Sequence, residues 1–155
     1  MPISHALVLL SLLPLSGSAM AQDVQRQIGL LTCTAEEVFS TPPAMVRPMR
    51  CSFAPTATGP TVSLVGKIQK FAANEMPLGQ QVFVWSVLSD KAKFAGESLE
   101  GSYTNEGQSP ITPVGQLLIG GVQGKVTLQP ETQDADDGVN AVKTVIELVL
   151  APNRI

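Results

Sequence analysis

Two short stretches decide how this chain folds: Gly29-Leu30-Leu31-Thr32-Cys33 and Arg50-Cys51-Ser52-Phe53. Each reads as an apolar strand, and each carries one of the chain's two cysteines. The interval between them contains Pro42, Pro43 and Pro48. Proline removes a backbone donor and restricts the residue before it, so no long helix fits there. Ala35 to Ser40 admits one helical turn or a loop. A Cys33–Cys51 disulfide would staple the two strands, either as antiparallel neighbours or facing each other across the core. Its Cα atoms are expected about 4.4–6.8 Å apart. The alternative is a pair of free buried thiols. No Cys-x-x-Cys redox motif is present.

A disulfide needs an oxidising compartment, and the amino-terminal end supplies the expectation of one. Ala6 to Leu15 is a short apolar run, and Ser16 to Ala21 follows as small residues ending in Ala19-Met20-Ala21. That is the layout of a secretory signal peptide, with cleavage between Ala21 and Gln22. The run falls short of the ~20 residues that a membrane-spanning helix needs. Removing 21 of 155 residues leaves 134, one domain's worth over 22–155. No transmembrane segment is expected in it.

Every Lys, Arg, Asp and Glu lies after Ala21, so the formal net charge of the mature chain stays at −3. Basic and acidic residues are interspersed, and no basic face for nucleic acid is visible. The single histidine is His5, inside the leader. Its loss removes Ser-His-Asp and Cys-His catalysis, histidine-bound zinc and a histidine pH switch.

Beyond a polar leader at Gln22 to Gln27, the chain reads as short strands separated by glycine and proline. They are Ile28 to Cys33, Met49 to Phe53, Val62 to Phe71, Gln81 to Leu88, Leu99 to Tyr103, Leu117 to Ile119, Lys125 to Gln129 and Val142 to Leu150. In Val62 to Phe71 the alternation points Ser63, Lys67 and Gln69 to water and leaves Gly66 at a bulge or a close approach. Gln81 to Leu88 is apolar at nearly every position, so both of its faces should be covered. Its Trp85, the sole tryptophan, is assigned to the core. Val142 to Leu150 also fits a helical stripe, but its β-branched residues favour a strand. Gly120-Gly121 is a hairpin turn in this reading, and Thr104 to Pro113 a polar loop. The expected fold is all-β: an antiparallel sandwich or barrel of roughly eight short strands with one disulfide.

The order and spacing of these segments resemble a bacterial family of small exported domains, the domain of unknown function nine-nine-two. The resemblance is carried by Gly29 to Cys33, Cys51 to Pro55, Gly66 to Phe71 and Val84 to Val87. In the second half it is carried by Leu99 to Tyr103, Leu117 to Gly121, Leu128 to Pro130 and Gly138 to Ala141. It implies an exported, disulfide-bearing, β-rich domain and brings no activity with it. The chain departs from the family in having Leu64-Val65 before Gly66, in a glycine run reduced to Gly115, and in its acidic Asp134, Asp136 and Asp137 loop.

Candidate chemistry is sparse. Asp134 to Asn140 suggests a calcium loop, but the third Asp sits one place early and Glu147 is not at the closing distance, so it reads as a solvated turn. Glu97 and Glu100 can be posed as paired carboxylates of a glycoside hydrolase, but aromatic residues for stacking sugars are few and the pair reads as a solvated strand end. Ser102 and Ser109 have no histidine to activate them and no Ser-x-x-Lys. No catalytic, cofactor or metal residue is therefore assigned. The expectation is a non-enzymatic binding or structural module of the cell envelope, periplasmic or secreted. Its partner would be an envelope protein or a small apolar ligand. The alternative is a periplasmic hydrolase using carboxylates alone, with Glu97, Glu100 and Asp134 to Asp137 as suspects.

Overall fold

A computed structural model describes residues 24–36, 46–71, 79–90, 99–105, 111–112, 115–121, 126–131 and 145–154. Ten strands run through them: β1 (Arg26–Ala35), β2 (Arg47–Pro55), β3 (Val62–Phe71), β4 (Gln81–Ser89), β5 (Gly101–Thr104), β6 (Ile111–Thr112), β7 (Gly115–Gln116), β8 (Leu118–Gly120), β9 (Val126–Pro130) and β10 (Val145–Pro152). Eight of them close an antiparallel barrel in the order β1-β2-β3-β10-β5-β8-β9-β4, and β6 and β7 form a separate small hairpin. The barrel form is thus settled over the sandwich, because β4 returns to pair with β1 from Arg26↔Ser89 to Ala35↔Gln81.

Alternation builds the wall. In β2, Arg47, Met49, Cys51 and Phe53 are buried while Pro48, Arg50, Ser52 and Ala54 are exposed. β3 buries Leu64, Gly66 and Ile68 and exposes Ser63, Lys67 and Gln69. In β4, every residue from Phe83 to Val87 is buried, as a doubly covered strand requires. The core side chains of all eight barrel strands are at most 5 % exposed. A chamber large enough for a ligand would leave accessible area on its walls, so side chains fill this interior. Eight strands make a barrel that side chains can just fill.

The staple is in place. Cys33 and Cys51 are direct partners across the β1–β2 ladder and are disulfide-bonded. Their Cα atoms are 4.0 Å apart, closer than the expected range. Residues facing each other across one rung of an antiparallel ladder already approach to about 4.5 Å, which accounts for the short separation.

Several boundaries differ from the sequence expectations. β1 begins at Arg26, inside the supposed leader, because Arg26 and Gln27 pair with β4 and point to solvent. β2 runs on to Pro55, and β5 begins at Gly101 rather than Leu99. Gly120 belongs to β8, so only Gly121, with φ of 88°, remains outside the strand as turn residue. Ile111–Thr112 forms a strand inside the supposed polar loop. The helical alternative for the last segment is excluded over Val145–Pro152, which is a strand.

Candidate functional site at the arginine end of the barrel

The antiparallel order places the ends of β1, β3, β5 and β9 at one mouth of the barrel, together with the starts of β2, β4, β8 and β10. Arg47 is the first residue of β2 and lies in phase with Met49, Cys51 and Phe53, so its side chain enters the interior. It is 1 % exposed. Its Nη2 donates to the carbonyl of Glu36 at 2.7 Å and to that of Gly79. Glu36 leaves β1, and Gly79 precedes β4. One guanidinium therefore ties together the exit of one strand and the entry of another. Among the described residues, Nε and Nη1 have no partner. Burial lowers the affinity of the guanidinium for its proton, but an arginine starts so high that it stays a cation at neutral pH.

Around this mouth, Arg50 meets Glu36 at 3.5 Å, with both side chains well exposed. Such a pair is screened by water and contributes little. Gln81 opens β4, and its Oε1 is buried without a partner among the described residues. Arg47 Nη2 donates to backbone carbonyls. The arrangement can hold chain segments and can attract negative charge, and among the described residues it has no group placed for bond breaking.

Two further polar contacts lie elsewhere. Ser86 is buried on the outer side of β4, where its hydroxyl donates to Glu131 Oε1. Glu131 also donates its N–H to the Val84 carbonyl at 2.9 Å. Tyr103, wholly buried, donates its hydroxyl to the Leu99 carbonyl at 2.7 Å. Desolvation pushes its phenol well above the usual tyrosine value.

Of the residues singled out from sequence, Cys33 and Cys51 are brought together and Trp85 stacks on Phe83 in the core, ring centroids 5.9 Å apart. Glu100 is half-buried beside β5, and Ser102 is exposed. Glu97, Ser109, Asp134 to Asp137, Ala21 and Gln22 lie outside the described residues. Among the described residues, no group of three or more His, Cys, Asp or Glu could hold a metal. None of their helices is long and apolar enough to cross a membrane. Sequence reasoning missed Arg47, although a period-two count back from Cys51 through Met49 leads to it.

A family model described as "Protein of unknown function (DUF992)" matches residues 13–151. The chain belongs to this family. The match spans all of β1 to β9 and nearly all of β10. Among curated proteins and among solved structures, nothing matches the chain.

Proposed function

We propose that this member of the DUF992 family is an exported, non-enzymatic module of the cell envelope that binds a protein partner on its outer surface. The observation that carries the reading is the closed barrel itself: stapled by Cys33–Cys51 and filled with side chains. A disulfide in the first hairpin suits a periplasmic or secreted protein, and the leader over 1–21 agrees with it. The filled interior argues against carriage of a small apolar ligand inside the barrel, which needs a chamber. Binding is then left to the outer wall and the two mouths. The lack of histidine after residue 5 leaves the usual general base missing.

Fractionation of the native host with an antibody to residues 22–155 tests the compartment. Recovery of shortened protein in the periplasm or medium is expected. Cytoplasmic recovery with residues 1–21 intact would overturn the reading. Crosslinking in intact cells then tests the partner: a discrete crosslinked species is expected, and none at any spacer length would argue against a protein partner.

A further inference from the structure

We infer that the mouth held by Arg47 binds a carboxylate with a hydrogen-bond donor beside it, as found in a 2-hydroxy acid or in the last residue of a peptide. The site requires neither export nor the protein partner on the outer wall. Arg47 spends the donors of Nη2 on the carbonyls of Glu36 and Gly79. Those of Nε and Nη1 are buried and find no partner among the described residues. The charge is unmatched as well. Glu36 gives Arg47 only its carbonyl and sends its carboxylate outward to Arg50. A cation that is 1 % exposed is costly without an anionic partner, because burial strips the water that would stabilise it. A carboxylate supplies the opposite charge and the acceptor oxygens together. One guanidinium balances one negative charge, so a phosphate dianion would leave its surplus buried.

Gln81 narrows the class of ligand. It opens β4 in phase with the inward-facing Phe83 and Trp85. Its amide lies next to Gly79, with Nε2 3.8 Å from where a Cβ of that residue would be. Arg47 holds the carbonyl of the same Gly79, so both side chains gather on one residue at one mouth. Gln81 Oε1 is buried without a donor among the described residues. An acceptor left in this state calls for an N–H or O–H. A 2-hydroxy acid carries its hydroxyl on the carbon next to the carboxylate, and a peptide's last residue carries its backbone N–H there. Either one meets the need of Arg47 and that of Gln81 with adjacent groups. A simple acid such as acetate meets only the first.

The test uses protein expressed from the full chain, with the disulfide intact and the arginines labelled with nitrogen-15. The Arg47 Nε–H resonance is followed by NMR during titration with glycolate, N-acetylglycine and acetate, against chloride at matched ionic strength. Glycolate or N-acetylglycine should change it saturably. Acetate should bind about tenfold more weakly, as expected when one buried hydrogen bond is missing. Arg50, whose side chain is 87 % exposed, should not respond. Tighter binding of glycolate assigns a free acid and tighter binding of N-acetylglycine a peptide end, and both uphold the site. Gln81→Leu should abolish the preference and leave acetate binding in place, without disturbing the Arg47 bonds that hold the mouth. An Arg47 resonance that no carboxylate moves beyond the chloride control, as when a trapped water satisfies Nε and Nη1, would overturn the inference. So would acetate binding as tightly as the other two, or an equal response at Arg50.

Discussion

Gly66 lies directly against the disulfide: a Cβ at this position would sit 2.9 Å from the Sγ of Cys51 and 3.2 Å from the terminal methyl of Met49. β3 thus approaches the staple so closely that only a hydrogen fits between them. Gly66→Ala is predicted to destabilise the barrel by about 1–3 kcal/mol through overpacking. Gly79→Ala is the control, because its nearest contact would be an ordinary 3.8 Å to Gln81. Urea denaturation of both variants checks this. Equal midpoints would mean that the staple region yields without cost.

The disulfide should account for a sizeable part of the stability. Cys33→Ser or Cys51→Ser is predicted to cost roughly 2–5 kcal/mol. Both sulfur-bearing residues are buried, so the bond should resist mild reductant until the barrel opens. Alkylation without reductant, followed by mass spectrometry, should find no free thiol in protein taken from the native host. Two alkylated cysteines would show that the staple is not formed there.

Arg47 is predicted to clasp the barrel mouth. Arg47→Ala leaves the Glu36 and Gly79 carbonyls without their charged donor, and the expected loss is about 1.5–3 kcal/mol. Arg47→Lys keeps the charge but not the planar fork, so it should rescue only part. Hydrogen exchange adds a local readout. Amides of Ala35 and Gln81 should lose protection before those of the opposite mouth. Uniform behaviour across the barrel would remove the clasp.

Tyr103 is the only tyrosine, so its ionisation can be followed by phenolate absorbance without interference. Burial raises its pKa, and the folded protein therefore holds the phenolic proton more tightly than the unfolded chain does. This contribution to stability is complete below the unfolded value of about 10 and is lost as pH rises beyond it. The prediction is an absorbance change that coincides with alkaline unfolding seen by circular dichroism. A phenolate signal near pH 10 in a folded barrel would contradict it. Tyr103→Phe should cost about 1 kcal/mol through the lost bond to Leu99.

Much of the wall was legible because alternation is a local property. Met49 to Phe53 and Val62 to Ile68 keep strict period two, and the structure follows them. The closure was not legible, since a sandwich and a barrel each bury one face of every strand. What separates them is the pairing of β1 with β4, which no local pattern encodes. The helical look of the last segment has a physical source. The β10–β3 register shifts between Val145 and Glu147 and again between Glu147 and Leu148. The helical stripe runs over Val142, Val145, Ile146, Val149 and Leu150, whereas the strand buries Val145, Leu148 and Leu150 and leaves Ile146 and Val149 half-buried, Val145 pairing with Phe71 and Leu148 with Ile68. Arg47 was hidden for a different reason: it lies directly before Pro48, in the proline-bearing interval between the two cysteine strands, and the strand reads as starting only at Met49.

The position of β10 also constrains the order of assembly. It is the last barrel strand in sequence, yet it lies between β3 and β5 rather than at the end of a meander. Before it docks, β3 and β5 are both open edges, and such edges invite pairing with other chains. A polypeptide emerging amino end first therefore has no closed form to adopt until residues 145–152 are released. The closed cylinder therefore forms only when its last strand docks between two strands that precede it in the chain.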